Sequence, residues 1–191
     1  MPATRLLIVG AGGHGRSVAE AAMLSGQYVL AGFVDDGLSL GSPIWHTSVV
    51  GSTANLNACS ALCDKVVVAI GNNALRESLV TQLIGLGFEL STVIHPKAIV
   101  SPSAVIGQGC AIMAGAIVGT EAQLGLGVIV NCGSVVDHHA TVHDFGHLGV
   151  NACMAGGTSL GQGSWIQAGC SLGYGVAIPA KTVLPPGTSM S

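Results

Sequence analysis

Residues Ala98–Val118 read AIVSPSAVIGQGCAIMAGAIV. Every sixth residue is a large aliphatic: Val100, Ile106, Ile112 and Val118. Two places before each stands a small one: Ala98, Ala104, Cys110 and Ala116. The phase continues without insertion through Leu124, Val130, Val136, Val142, Leu148, Met154, Leu160, Ile166, Leu172 and Ile178 to Leu184, and every companion position stays small or β-branched as far as Thr182. A helix repeats every 3.6 residues and a flat strand every two, so neither produces a six. One large and one small inward side chain per hexad suit a coil with three short flat faces, with about eighteen residues to a turn. Residues just after the aliphatics, such as Gly107, Gly119, Gly125, Asn131, Asp137 and Pro179, are expected to make the corners.

Working outward, the pattern changes near His95-Pro96. Before it, strands alternate with helices. Arg5–Val9 is a short apolar run, and Gly10-Ala-Gly-Gly-His-Gly15 is a turn. Ser17–Leu24 has helical spacing with Gly26 as C-cap. Tyr28–Val34 and Lys65–Ile70 read as parallel strands, Ala74–Leu86 as a helix, and Phe88–Ile94 as a further strand. The expectation is a half-Rossmann βαβαβ domain over 1–94 and the coiled repeat over 95–191.

The chain has 191 residues, of which 8% are charged, 4% aromatic and 49% hydrophobic, with 29 glycines. Soluble domains carry about 25% charged residues. So bland a surface suggests that sister subunits cover much of it. Six Lys+Arg against nine Asp+Glu cannot neutralise a run of phosphates, which excludes a basic nucleic-acid binder. Mean hydropathy is +0.65, yet Gly, Gln, Asn or Asp interrupts every apolar run before membrane-spanning length. The N-terminus lacks a basic region, an apolar region and a cleavage site, which predicts a cytoplasmic protein with no membrane partner. Six scattered cysteines without a CxxC pair predict small buried hydrophobes rather than a metal or disulfide framework.

Two stretches carry chemistry. Gly10–Gly15 fits GxGxxG, with Asp35 about twenty-five residues on, a spacing compatible with a dinucleotide. Its generic content is a tight turn whose N–H groups and helix N-terminus favour a phosphate. A single small half-Rossmann favours one nucleotide-sugar pyrophosphate over NAD. Gly71 and Asn72 end the third strand at the same carboxyl edge, where open α/β sheets bind ligands. The other stretch is histidine-rich: His138, His139, His143 and His147, with Asp137 and Asp144 among them. His138 stands two residues after inward Val136, at a corner and free to project into a groove. His139, its neighbour on the corner, is expected to turn away. His147 immediately precedes inward Leu148 and so points outward. A neutral imidazole suits the removal of a proton from an attacking amine near pH 7.

The repeat resembles that of the hexapeptide acyltransferases, whose fold is a left-handed parallel β-helix. The whole chain further resembles the nucleotide-sugar N-acetyltransferases that act on 4-amino sugars. The motifs that carry this are Gly10–Gly15, Phe33-x-Asp35-Asp36, Ala69-Ile-Gly-Asn-Asn-x-x-Arg76, and the histidine in the β-helix. The resemblance implies acetyl transfer from acetyl-CoA to the C4 amine of a nucleotide-linked, UDP-type amino-deoxysugar, without an acyl-enzyme and without a metal. It implies a homotrimer with coenzyme A between neighbouring β-helices. It implies that Gly12, Gly13 and His14 touch the sugar nucleotide, that Asp35 and Asp36 accept hydrogen bonds from base or ribose, and that His138 is the base. It places His147 near the thioester, the Gly156 N–H on the thioester carbonyl, and the Ala168 backbone beside the pantetheine arm.

One departure concerns the base. The family's histidine is followed by a carboxylate, whereas here the run is Asp137-His138-His139. Asp137, Asp144 or a backbone carbonyl is then expected to orient the ring. Three rivals keep a sequence basis: an O-acetyltransferase for a sialic-acid-like sugar, an NAD-dependent oxidoreductase, and a non-catalytic β-helix scaffold.

Overall fold

The computed structural model describes residues 4–191. Its N-terminal part holds β1 (Thr4–Val9), α1 (Gly13–Leu24), β2 (Tyr28–Val34), a hairpin of β3 (Pro43–Ile44) and β4 (Thr47–Gly51), a kinked 3-10 stretch (Thr53–Leu62), β5 (Lys65–Val68) and α2 (Asn73–Gly85). The sheet order is β3-β4-β2-β1-β5, parallel except for β3. α1 starts four residues before the apolar periodicity does, inside the glycine turn. Within that turn the glycines have different reasons. A Cβ on Gly10, which has φ +108°, would stand 2.8 Å from the Ala69 carbonyl oxygen, and one on Gly15 would strike the Gly10 carbonyl. These two let α1 pack closely on the sheet.

From Val93 onward the chain is a left-handed parallel β-helix. Its two-residue strands recur every six residues, and each pairs in register with the strand eighteen residues away, as Ile117 does with Ile99 and Val135. Three sheets result. The first face runs from Ile99–Val100 to Ser189–Met190, the second from Val105–Ile106 to Ala177–Ile178, and the third from Val93–Ile94 to Val183–Leu184. All fifteen six-spaced aliphatics lie in or against one interior core, with the small companions between them. The expected strand over Phe88–Ile94 divides: Leu90 bridges to Val66 in the N-terminal domain, whereas Val93–Ile94 is the first strand of the β-helix.

The corners are β-turns closed by the fourth N–H on the first carbonyl, as from Ala104 to Ser101 (3.0 Å) and Ala140 to Asp137 (3.2 Å). From Gly109 onward their third residue has positive φ, as a type II turn requires; Lys97 and Ser103, at the two corners before it, do not. That left-handed residue is glycine at most corners but Glu121, His139, Phe145, Asn151 and Lys181 at five. The glycines that follow the aliphatics therefore open each corner without taking the left-handed conformation themselves. They are bare because coils stack tightly there: a Cβ on Gly107 would stand 2.5 Å from the Gly125 carbonyl oxygen.

The N-terminal domain covers the third face. Ala111, Met113 and Ile129 join the core of β1 and α1, and Phe145 joins that of α2. Arg76, fully buried in α2, rivets the two parts. Its guanidinium donates to the carbonyls of Gly127 (2.8 Å), Phe145 (2.7 Å) and Ile70 (3.0 Å) and to Asn73 Oδ1 (2.9 Å). No carboxylate pairs with it among these contacts. Carbonyl dipoles carry the charge, and burial lowers its pKa to about 10.

Candidate active site

The N-terminal end of α1 has no side-chain cap. Its free N–H groups border a cavity of about 540 Å³ lined by Ala11, Gly12, Gly13, Arg16, Asp35, Gly37 and Leu38. A Cβ on Gly12 or Gly13 would meet nothing within 4 Å, and neither residue has positive φ. The chain itself therefore does not require glycine there, whereas a ligand lying against the backbone would. A helix N-terminus with an adjacent cation suits a pyrophosphate. Arg16 supplies that cation, with its Nε held on the Ala11 carbonyl at 3.1 Å. A second cavity of about 370 Å³ shares Asp35 and Leu38 and continues between Leu40, Val50, Ser52, Asn55, Ala58 and Cys59.

The two aspartates serve the scaffold as well. Asp35 accepts the N–H of Ala11 (2.8 Å) and of Gly37 (2.9 Å), so it ties the glycine turn to the end of β2 while lining both cavities. Asp36 accepts from the Thr53 N–H (2.7 Å) and hydroxyl (2.6 Å), and these bonds hold its carboxyl below the usual range. Asn72 caps α2 by accepting the Leu75 N–H (2.9 Å). The Gly71 carbonyl faces His147 Nδ1 at 3.2 Å.

His147 points outward from the β-helix, as its phase predicts, but its outside is the domain junction. It is 6% exposed and stacks on Trp165 with ring centroids 5.1 Å apart, and it does not line an open groove. Burial, then Arg76 and His14, hold its pKa at about 3. His14 turns into the same junction. Its Nε2 is shielded from solvent without a hydrogen-bond partner among the described residues, and burial followed by Arg76 lowers its pKa to about 4. Both imidazoles are neutral spacers beside a buried cation.

His138 lies at the corner between the first and second faces, the corner away from the N-terminal domain. Positions eighteen apart stack there, so Thr120, His138, Gly156 and Tyr174 form one column. A Cβ on Gly156 would stand 2.5 Å from His138 Nε2, which means the glycine makes the space the ring occupies. Tyr174 closes the far side, its ring centroid 6.5 Å from that of His138. The Gly156 N–H has no acceptor among the described residues. Ala168, in the turn Gln167–Cys170, sits at the next corner, between the third and first faces.

Asp137 does not hold the ring. Its Oδ1 accepts the His138 backbone N–H (2.7 Å), and its Oδ2 is 4.0 Å from Nε2, beyond hydrogen-bond reach. Asp144 accepts the Leu126 N–H (2.8 Å) at a different corner. The ring's partner is the one expected to turn away: His138 Nδ1 is 3.0 Å from His139 Nδ1. Arg16, Glu121 and Tyr174 escape a linear reading. Arg16 is visible only as the cation following the glycine turn. The other two become visible once the sequence is folded at eighteen residues.

Such a β-helix, with an exposed corner histidine and an α/β domain presenting a cavity at an uncapped helix N-terminus, defines an acyltransferase of the hexapeptide-repeat class. The PglD N-terminal domain family matches residues 5–83. UDP-N-acetylbacillosamine N-acetyltransferase of Bacillus subtilis (strain 168) is 40% identical over 112 residues. That match spans 56% of this chain and about half the length of that relative, 50%. PerB from Caulobacter crescentus, solved with CoA and GDP-perosamine, superposes with a TM-score of 0.92 at 34% identity over 97% of this chain and 88% of that one. The acetyltransferase domain of PglB from Neisseria gonorrhoeae FA1090, solved with acetyl coenzyme A, gives 0.80 at 35% identity over 95% of each chain. The chain belongs to this family of sugar N-acetyltransferases.

Proposed function

We propose that the protein transfers the acetyl group of acetyl-CoA to the C4 amine of a nucleotide-linked amino-deoxysugar, UDP-linked as in the name of the Bacillus relative. The observation that carries this reading is the His138 corner, where an imidazole stands over Gly156, a residue with an unengaged N–H. The amine nitrogen attacks the thioester carbonyl carbon while His138 Nε2 takes its proton. The Gly156 N–H donates to the carbonyl oxygen as it gains charge. The C–S bond breaks, and the proton on His138 passes to the departing thiolate. Cys59, Cys63 and Cys110 are buried with their thiol pKa values pushed up, so they are poor nucleophiles for a covalent route.

The nucleotide cavities belong to the domain that covers the third face, and His138 stands at the corner opposite that face. A homotrimer in which one chain's nucleotide meets a neighbour's His138, with coenzyme A between their β-helices, resolves this separation. Ile99, 65% exposed on the first face, supplies apolar surface for such contacts. No helix among the described residues is long and apolar enough to cross a membrane, and we place the reaction in the cytoplasm. Thiol release from acetyl-CoA, measured against a panel of UDP- and GDP-linked 4-amino sugars, tests the reading. Turnover with a UDP-linked amine supports it. Turnover with hydroxyl acceptors alone would replace it by O-acetylation.

A further inference from the structure

We propose that Glu121, acting through His139, fixes which nitrogen of His138 carries the proton and so leaves Nε2 as the basic atom; the catalytic meaning of this rests on the proposed function. Glu121 and His139 occupy the left-handed third position of two successive stacked turns, with φ +57° and +58°. Glu121 Oε2 stands 2.9 Å from His139 Nε2. A carboxylate can only accept a hydrogen bond, so His139 Nε2 carries the hydrogen. A neutral imidazole has one N–H, which leaves the His139 Nδ1 lone pair facing His138 Nδ1 at 3.0 Å. Two lone pairs at that distance repel. The hydrogen between them therefore belongs to His138 Nδ1, and the free lone pair of His138 is on Nε2, the atom above Gly156.

The remaining groups facing the ring do not compete. Asp137 Oδ2 is 4.0 Å from Nε2, and the Tyr174 ring centroid is 6.5 Å from that of His138. When Nε2 takes the amine's proton, Nδ1–H continues to donate to His139, and the Glu121 charge lies at the end of the chain of hydrogen bonds. The carboxylate that the family places directly after its histidine is thus supplied here from the preceding coil, with an imidazole as the link. His139 and Glu121 are positioning residues, in the way that outer hydrogen-bond partners fix the tautomer of a working histidine.

The test is histidine-selective 15N NMR of the intact protein at pH 8, with signals assigned by single His→Gln substitutions. His138 should show a protonated Nδ1 and an unprotonated Nε2. Glu121→Ala should shift His138 toward the Nε2–H form. Glu121→Gln, which keeps an acceptor oxygen without the charge, should retain the original form. With acetyl-CoA and the amino-sugar nucleotide that turns over best, Glu121→Ala should lower kcat about 10–100-fold, with both KM values within about twofold. An Nε2–H signal for His138 in the wild type, or an unchanged tautomer in Glu121→Ala, overturns the proposal. Correct tautomers together with undiminished turnover in His138→Ala would instead overturn the base assignment and leave the hydrogen-bond chain standing.

Discussion

Gly156 and His138 share one column of the β-helix, and any side chain at Gly156 would enter the space of the imidazole, with an added Cβ 2.5 Å from Nε2. Gly156→Ala keeps an allowed backbone, since the residue lacks positive φ. The exposed ring moves instead of the coil. The expected outcome is a melting temperature close to wild type and a kcat lower by about 10²-fold, the loss that a displacement of about 1 Å produces in a positioned group. Unchanged turnover would separate the glycine from the chemistry.

Arg16 is the cation beside the uncapped end of α1. Arg16→Ala should raise KM for the sugar nucleotide about 10–100-fold, the worth of a hydrogen bond to a charged group, and leave KM for acetyl-CoA nearly unchanged. Steady-state kinetics with each substrate varied in turn checks this. Asp36→Ala should act differently: both its oxygens are bound to Thr53, so lost thermal stability should accompany any change in KM.

The junction makes stability depend on pH. The folded pKa of His147 is lowered to about 3 and that of His14 to about 4, while the unfolded chain protonates both near 6.5. Stability is therefore full above about pH 6.5 and is lost as pH falls from there toward the folded values, because the unfolded state binds more protons. For buried His147 the slope approaches about 1.4 kcal/mol per pH unit below pH 6. Urea unfolding between pH 8 and 5 measures it. His147→Phe, which keeps a ring against Trp165, should flatten the curve.

The repeat's phase was legible because burial repeats with it: every six-spaced aliphatic lies in the interior core or packs against it, and β2 spans Tyr28–Val34 as read. What was not legible depends on positions distant in sequence. From Ile106 onward the left-handed corner position falls three residues after each aliphatic. At five corners it is not glycine, so the turn signal blurs at Glu121 and His139. His139 meets Glu121 only because coils stack at eighteen. His147 points outward by its phase and His14 belongs to the glycine turn, and only the docking of the two domains brings both against Arg76. The hairpin Pro43–Ile44/Thr47–Gly51 is too short to carry a period.

If nucleotide and base come from neighbouring chains, assembly and activity are coupled. Light scattering at working concentration should give three times the 18.9 kDa chain mass. Ile117→Glu, on the outer side of the first face, should dissociate the assembly and abolish turnover together. Full activity at the mass of one chain would contradict a shared site.

The most direct test of the account is the kcat of His138→Ala. Loss of positioned general-base catalysis predicts a fall of about 10²–10⁴-fold with modest changes in either KM. A variant retaining more than about half of the wild-type rate, well outside that range, would contradict the mechanism and move the base to another group.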